Sequence, residues 1–478
     1  MTTKAAVQKL FINGEWMETG SFHKVYNKYD GELLAQVSTA GTREVDLAVS
    51  AAERVFKTTP FPPEQRYHVL MKVSKLLTER AQEIGECIAR EGGKPITDAK
   101  AEVIRSANTF QLAAHEARFL SGSMIPSQAS PGIGSRLMYT VKKPIGIVCA
   151  ITPFNFPLNL VAHKVAPALA AGNPIIVKPA SDTALTSLML CEVLEQAGVP
   201  KGYVQCVVGS GSTVGEQLLR DPRIKLYTFT GSPEVGRHIQ QTIGMRKVTL
   251  ELGSNSATIV HEDADVQQAA AKLAKMAFAH AGQICISVQR IFVQKNVEAA
   301  FMNAFLEHVS RLQVGNPLDP ATDVGPMISV KEAERIEAWV REAVDQGAEV
   351  AIGGKREGSL FYPTVITGAR KGMKVVDEEV FAPVVSIAVY ETIEEAIELV
   401  NDSKYGLQAG VYTKSLGLAH RLPYLLEVGG VIINDTCCFR ADHMPYGGVK
   451  ESGIGKEGPA YAMAEMLETV MVVVNLDE

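Results

Sequence analysis

The sequence predicts an α/β protein built around two mostly parallel β-sheets. From residue 144 onward, short apolar runs alternate with helix-like stretches, in the order "IGIVCAI", "LVAHKVAPALAAG", "PIIVK", "TALTSLMLCEVLEQAG" and "VQCVVG". A second series begins near residue 256 and ends in "GGVIIN" around residue 430. Strands that alternate with helices form β-α-β units, and such units give parallel sheets.

Local signals support these elements. Gly172 and Gly198 each follow an apolar-periodic run, where a helix needs a left-handed residue to end. The sequence before the first series is mostly helical in pattern. Residues 123–142 and the C-terminal "ETVMVVVN" are strand-like and detached from both series. Because unpaired strand edges need a partner, we expect these strands to contact a second subunit.

Length and charge exclude several classes of protein. A chain of 478 residues is too long for one compact core, which predicts two or three domains. The net charge is -6 and Lys and Arg are not clustered, so no nucleic-acid partner is expected. We find no targeting signal and no apolar stretch near the roughly 20 residues that span a bilayer. We therefore expect a cytoplasmic protein without a membrane partner.

The seven cysteines are scattered and odd in number, so reduced thiols are expected. The ten histidines are also dispersed, and we predict no metal site. The adjacent Cys437 and Cys438 are interpreted most simply as two buried thiols, while a redox role stays open.

Phosphate-binding signals are present but weak. Strand-like "KLYTFTG" is followed by Ser232, Pro233 and Glu234, in the order N-cap, first helical position and acidic first turn. A helix start after a strand can hold a pyrophosphate, although ordinary capping gives the same pattern. Gly209, Gly211 and Gly215 miss the G-x-G-x-x-G spacing by one residue, and Gly92-Gly93-Lys94 lacks the rest of a P-loop.

Two residues are candidates for catalysis. Cys285, in "GQICIS", lies between a predicted helix and the strand "RIFVQ", where a thiol could be accessible, although a lone cysteine is usually buried and inert. Glu251 lies in the apolar run "VTLELGSNS". Burial would raise its pKa and suit a general base, whereas an alternating strand would turn it to the surface.

Taken together and in order, seven segments resemble the aldehyde dehydrogenase superfamily. They are "PFNFP" (153–157), "KPA" (178–180), "FTGS" (229–232), "ELGS" (251–254), "GQICIS" (282–287), "EEVFAPV" (378–384) and "MPYGGVKESGIGKEG" (444–458). The resemblance covers essentially the whole chain and implies the aldehyde dehydrogenase fold, with a modified Rossmann cofactor domain, an α/β catalytic domain and a small β oligomerisation arm.

The resemblance implies a domain division and an assembly. The cofactor domain would comprise residues 1–122 and 143–250, with 441–458 returning to it, and the catalytic domain residues 251–440. The arm would comprise 123–142 and 459–478, which would explain the detached strands through a homodimer or homotetramer.

The resemblance also implies a catalytic mechanism. Cys285 would form a thiohemiacetal, because a free aldehyde has no alkoxide to expel a hydride. The Asn155 amide and the Cys285 backbone N–H would stabilise the oxyanion. Glu251 would then activate water to hydrolyse the thioester. Relatives that transfer the acyl group to coenzyme A lack this glutamate, so a free carboxylate product is expected.

NAD or NADP is the implied cofactor. Lys178 would contact the ribose hydroxyls, Ser232 the pyrophosphate, and Glu379 with Phe381 the nicotinamide ribose. Ser181 stands where NAD-preferring relatives often have a Glu, so NADP becomes possible. Ser254 replaces a second Gly of many relatives. The full set of expected cofactor contacts is Thr152, Pro153, Phe154, Lys178, Ala180, Ser181, Gly211, Gly215, Phe229, Gly231, Ser232, Leu252, Glu379 and Phe381.

The substrate is predicted only by class. Arg440, with Arg105 and His443, could face a carboxylate, phosphate or sulfonate on a short hydroxy- or oxo-aldehyde. A structural salt bridge of Arg440 is the competing interpretation. Lactaldehyde-like, semialdehyde, glyceraldehyde-3-phosphate and sulfolactaldehyde substrates all remain open.

Three alternatives to this reaction remain. They are a CoA-acylating dehydrogenase, which Glu251 disfavours, a catalytically silent family member, and a thiol hydrolase built on Cys285 that needs no nicotinamide.

Overall fold

Two large β-sheets, each flanked by helices, organise the chain in the computed structural model, which describes residues 6–476. This confirms the predicted α/β fold. Gly172 and Gly198 end their helices with φ of 90° and 92°, as predicted.

The first sheet has eight strands, and the five consecutive strands from Lys247–Glu251 to Val204–Cys206 are parallel. Its strand "IVCAI" is apolar throughout because helices cover both faces of the sheet. In spatial order the strands are Gly453–Ile454, Lys247–Glu251, Ile224–Thr230, Ile147–Ile151, Ile175–Lys178, Val204–Cys206, Leu10–Ile12 and Glu15–Met17.

The helices of this first unit pack into one apolar core with the sheet. They are Thr42–Thr58, Pro63–Glu79, Ala81–Gly92, Ile96–Ala117, Asn159–Ala171, Ala184–Ala197, Glu216–Arg220, Pro233–Ile243 and Pro459–Glu465.

The second sheet has seven strands, all parallel except the antiparallel edge strand Glu349–Ile352. In spatial order they are Glu349–Ile352, Thr364–Thr367, Val384–Tyr390, Arg290–Gln294, Ala257–Val260, Gln408–Tyr412 and Gly430–Ile433. Its helices are Val266–Phe278, Glu298–Ser310, Val330–Asp345, Lys374–Asp377, Ile393–Asn401 and Leu416–Arg421.

The detached strands form a separate sheet, which we call the arm sheet. Leu467–Asn475 pairs antiparallel along the whole of Arg136–Pro144, and Met124–Ile125 adds a short third strand. The strands therefore pair with each other within one chain. The other small sheets are Val7–Gln8 with Leu33–Ser38 and Phe22–Tyr26, Arg356–Glu357 with Leu360–Phe361, and Tyr405–Gly406 with Val449–Lys450.

Two expectations need correction. The region before residue 144 is α-helical only between residues 42 and 117, because residues 7–38 form short strands. The segment predicted as arm from residue 459 does not begin as a strand: Pro459–Glu465 is a helix, its Met463 belongs to the first core, and the strand of the arm sheet begins at Leu467. The predicted segments that start at residue 1 and end at residue 478 extend outside the described residues.

Candidate active site

Cys285 lies at the junction between the two sheets, after the helix Val266–Phe278 and before the strand Arg290–Gln294, as predicted. The intervening turn has left-handed backbone at three successive residues, with φ of 47° at His280, 52° at Ala281 and 68° at Gly282. A Cβ on Gly282 would lie 2.1 Å from the carbonyl oxygen of Ala382, so this position requires glycine. The turn fixes where the sulfur is presented.

Cys285 lines two cavities. The larger, of about 490 Å³, also contains Arg105, His280 and Arg440, and we call it the substrate cavity. The smaller, of about 270 Å³, also contains Asn155, Glu251 and Glu379, and we call it the cofactor cavity. Molecules held in the two cavities would therefore meet at the sulfur.

The environment of Cys285 sets the ionisation of its thiol. The residue is partly exposed to the cavities, but the enclosing protein still excludes bulk solvent, and this burial raises the pKa of the thiol to about 12. The Tyr446 hydroxyl, 2.8 Å from Sγ, and the cation of Arg440 act in the opposite direction.

Asn155 is tied to the loop that carries the cysteine. Its side-chain Nδ2 donates to the backbone carbonyl of Gln283 over 2.8 Å, while its Oδ1 has no hydrogen-bond partner among the described residues. An amide nitrogen has two hydrogens, so one stays available for a ligand beside Cys285.

Glu251 ends the strand Lys247–Glu251 and is buried, with 3 % of the residue exposed. Neither carboxylate oxygen has a hydrogen-bond partner in the part of the chain that the structure describes. Burial, aided by the negative charge of Glu457, raises its pKa well above the usual range. The surface-facing alternative is therefore wrong: the residue is buried beside the cofactor cavity, which it lines.

A second buried carboxylate, Glu457, is fully ion-paired. It accepts from Lys164 over 2.6 Å and from Arg440 over 2.9 Å. Burial alone would raise its pKa, but the two cations outweigh burial and hold the pKa well below its usual range. Sequence reasoning did not single out Lys164, Tyr446 or Glu457, although the last two lie inside the "MPYGGVKESGIGKEG" segment.

The cofactor cavity brings together half of the expected cofactor contacts. Ser232 caps the helix Pro233–Ile243 by accepting from the Val235 N–H, which confirms the predicted helix start. Glu379 accepts from the Ser254 N–H over 3.1 Å, and burial raises its pKa to about 7. The expected contacts that line this cavity are Pro153, Phe154, Gly231, Ser232, Leu252, Glu379 and Phe381.

The other expected cofactor residues lie along the carboxyl edge of the first sheet, outside that cavity. Lys178 ends the strand Ile175–Lys178, and burial lowers the pKa of its amine. A Cβ on Gly215 would lie 3.9 Å from Lys178 Cε, and Ser181 donates to the Gly209 carbonyl over 3.4 Å. Adjacent strand ends of a parallel sheet are where dinucleotides bind, so this edge fits the adenosine half. Thr152, Ala180, Gly211 and Phe229 follow or end neighbouring strands of the same edge.

Of the three residues expected to contact the substrate, Arg105 and Arg440 line the substrate cavity and His443 does not. Arg440 lines the substrate cavity, but its side chain is only 8 % exposed and pairs with Glu457, as the salt-bridge interpretation held. Arg105 also lines the cavity, is 34 % exposed and pairs with Asp442 over 2.8 Å. His443 is exposed and does not line the cavity, so the structure does not place it at the substrate.

His280 is a site residue that the sequence did not reveal. It lines the substrate cavity, is 2 % exposed, and neither ring nitrogen has a hydrogen-bond partner within residues 6–476. Burial and the nearby cation of Lys94 lower its pKa well below the usual range, so the ring is neutral. A neutral imidazole can donate through one nitrogen and accept through the other.

Cys437 and Cys438 are both buried and free, and both sulfurs contact the Ile286 carbonyl, at 3.4 Å and 3.1 Å.

Among residues 6–476 there is no group of three or more His, Cys, Asp or Glu side chains that could hold a metal. Within the same range, none of the helices has both the length and the apolar character needed to cross a bilayer.

Comparison with known proteins identifies the family. The model of the aldehyde dehydrogenase family matches residues 16–472. The chain belongs to the aldehyde dehydrogenase family. It is an oxidoreductase of a family that uses NAD or NADP, as the sequence predicted.

Similar curated proteins include 3-sulfolactaldehyde dehydrogenase of Priestia aryabhattai, 50 % identical over 478 residues and 100 % of both chains. Lactaldehyde dehydrogenase of Methanocaldococcus jannaschii is 40 % identical over 98 % of this chain and 100 % of its own. A similar solved structure is the glyceraldehyde-3-phosphate dehydrogenase of the same organism complexed with NADP, with TM-score 0.91, 39 % identity and coverage of 95 % and 100 %.

Proposed function

We propose that this aldehyde dehydrogenase oxidises a short aldehyde carrying a hydroxyl and an anionic group to the carboxylate, with NAD or NADP. The observation that carries the proposal is the position of Cys285, whose sulfur lies where the cofactor cavity meets a second cavity lined by Arg105, His280 and Arg440. The similar proteins named for sulfolactaldehyde, lactaldehyde and glyceraldehyde-3-phosphate support the same substrate class.

The first half of the reaction follows from Cys285 and Asn155. The ionised sulfur attacks the aldehyde carbon, and the carbonyl electron pair moves to oxygen. The second N–H of the Asn155 amide and the Cys285 backbone N–H receive that negative oxygen. The residues lining the cofactor cavity fit a nicotinamide, which when bound supplies the hydride acceptor.

The second half of the reaction follows from Glu251. The oxidised thiohemiacetal is a thioester on Cys285, and water must be deprotonated to hydrolyse it. Glu251 has two unpartnered oxygens, lines the cofactor cavity with Cys285, and has the raised pKa of a general base. Its presence favours hydrolysis over transfer to coenzyme A.

Within the substrate cavity, Arg105 suits the anionic group of the substrate better than Arg440 does. Arg440 is committed to Glu457 and is almost fully buried. Arg105 uses Nε and Nη2 for Asp442, which leaves Nη1 outside the pair. The unpartnered ring nitrogens of His280 suit the hydroxyl group. His443, being exposed, has no part in this proposal.

A substrate panel tests the proposal. We would measure kcat/KM for 3-sulfolactaldehyde and for neutral lactaldehyde with the unmutated enzyme, Arg105→Met and Arg440→Met. Arg421→Met, which removes an arginine paired with Glu394 outside both cavities, is the matched control. Losing a charged hydrogen bond should reduce the anion preference of Arg105→Met about 10- to 100-fold. An unchanged preference in both cavity variants would contradict the proposal.

We further propose that the first-sheet unit binds the cofactor and that the second-sheet unit carries the catalytic cysteine. We propose that the arm sheet joins subunits in a homodimer or homotetramer and that the enzyme is cytoplasmic. The arm sheet supports this assembly because it exposes several apolar side chains, among them Met124, Leu137, Met471, Val473 and Val474. The free state of all seven cysteines is compatible with a reducing compartment.

A further inference from the structure

Among the described residues, only Tyr446 has a side chain that forms a hydrogen bond with the Cys285 sulfur. Its hydroxyl lies 2.8 Å from Sγ, and 2 % of the residue is exposed. A buried tyrosine with a purely structural role usually directs its hydroxyl to a backbone carbonyl. Here the partner is the reacting atom of the enzyme.

The phenol is held from two sides. The backbone of Tyr446 exchanges hydrogen bonds with Glu457, at 3.1 Å from the Tyr446 N–H and 2.6 Å from the Glu457 N–H. The guanidinium of Arg440 stacks on the phenol ring, 3.8 Å from its centroid, and is itself ion-paired with the Glu457 carboxylate. Arg440 and Glu457 therefore fix the ring opposite the sulfur.

The direction of this hydrogen bond follows from chemistry. When Cys285 is ionised, its sulfur can only accept, so the phenol must donate. Burial raises the pKa of Tyr446 well above its usual range, so the phenol keeps its proton at neutral and mildly alkaline pH. Because burial also opposes ionisation of Cys285, a fixed donor at the sulfur has a large effect on the population of the nucleophile.

We propose that the Tyr446 hydroxyl, positioned by Arg440, donates a hydrogen bond to the Cys285 sulfur when it ionises and thereby increases the fraction of Cys285 that is present as the attacking thiolate. No proton passes between the two residues: the thiol proton leaves to solvent, and the phenol remains protonated. The hydrogen bond is released as the sulfur–carbon bond forms, when the negative charge moves to the oxygen near Asn155. The inference rests on the aldehyde dehydrogenase chemistry of Cys285 and not on the anion specificity proposed above.

The test compares Tyr446→Phe with Tyr412→Phe. Both changes delete one hydroxyl from a buried tyrosine, but the Tyr412 hydroxyl has no hydrogen-bond partner in the described part of the chain and lies outside both cavities. The rate of Cys285 alkylation by iodoacetamide would be followed across neutral and mildly alkaline pH, with mass spectrometry to confirm the modified cysteine and thermal melting to confirm folding.

Losing the donor should raise the pKa of the thiol by about one unit or more. A more basic thiolate is also a better nucleophile, which recovers part of the lost rate, so Tyr446→Phe should be alkylated about three- to tenfold more slowly at each pH. The acid limb of its kcat/KM profile should move to higher pH, and Tyr412→Phe should match the unmutated enzyme. An unchanged or faster alkylation of Tyr446→Phe, or an equal loss in Tyr412→Phe, would overturn the inference.

Discussion

The side-chain amide of Asn155 donates a hydrogen bond to the backbone carbonyl of Gln283 over 2.8 Å. This contact joins the loop after the strand Ile147–Ile151 to the loop that presents Cys285, across the junction of the two sheets. An oxyanion donor is effective only if it is already in place when charge develops. The contact with Gln283 provides that placement without using the second amide hydrogen.

Replacing Asn155 with Ala should therefore lower kcat about 100- to 1000-fold, because one fixed donor to the oxyanion is lost. The affinity for NAD, measured by fluorescence quenching, should change little. Asn173→Ala is the matched control, since Asn173 donates the same kind of hydrogen bond, to the Met466 carbonyl over 2.8 Å, before the strand Ile175–Lys178 and away from both cavities. A kcat loss in Asn173→Ala as large as in Asn155→Ala would contradict the assigned role.

Glu251→Gln should separate the two halves of the reaction. The first half does not need a base at this position, so each active site should release one equivalent of reduced cofactor in a burst. Steady turnover should then fall about 100-fold or more, because the thioester is no longer hydrolysed. Stopped-flow absorbance at 340 nm measures both phases. Near-normal steady turnover in Glu251→Gln would refute the role, and Cys285→Ser should show neither phase.

The role of Glu251 as general base also predicts how hydrolysis of the thioester depends on pH. The raised pKa of Glu251 means that the carboxyl is protonated at lower pH and becomes a base only as pH rises through that pKa. Decay of the acyl-enzyme should consequently accelerate with pH in the unmutated enzyme.

Ser232→Ala should weaken both the helix Pro233–Ile243 and cofactor binding. Loss of the cap costs about 1 kcal/mol of stability. Thr392→Ala is the matched control. The Thr392 side chain caps the helix Ile393–Asn401 in the same way, by accepting from the Glu395 N–H, and it lies outside the cofactor cavity. Melting temperatures should fall similarly in both variants, whereas the KM for NAD should rise only in Ser232→Ala. Equal KM values in the two variants would show that the cap is structural alone.

Ser181→Glu should turn the cofactor preference toward NAD. A carboxylate at the carboxyl edge of the first sheet would repel the 2'-phosphate of NADP and accept from the 2'-hydroxyl of NAD. We expect kcat/KM for NADP to fall about tenfold or more. The value for NAD in the same variant serves as the internal control, and a parallel fall for both cofactors would exclude the proposed contact.

Much of the fold could be predicted because its signals are local. Buried parallel strands have continuous apolar sequence, and the helix ends at Gly172 and Gly198 depend on one residue type with a left-handed backbone. The short strands of residues 7–38 escaped prediction because runs of two to six residues are too short to show a clear period. The sequence alone assigns Pro459–Glu465 to the arm because the helix contacts a core whose other residues are far away in sequence.

The site could be predicted only where the resemblance supplied it. Periodicity left Glu251 equally compatible with core and surface, because burial depends on the segment Gly453–Ile454 that pairs beside its strand. The ion pair between Arg440 and Glu457 forms only because the loop that carries both residues folds back on itself. The position of the His280 ring depends on the left-handed backbone of the turn that carries it. Neither relationship has a signature in the order of the residues.

The most direct test of the account is the absorbance at 340 nm when purified enzyme is mixed with short anionic and neutral aldehydes and NAD or NADP, without coenzyme A, beside Cys285→Ala. Reduced cofactor formed by the unmutated enzyme and not by Cys285→Ala is the predicted result, because the sulfur must form the thiohemiacetal before a hydride can leave. Equal formation of reduced cofactor by both proteins, or formation only when coenzyme A is added, would contradict the central claim.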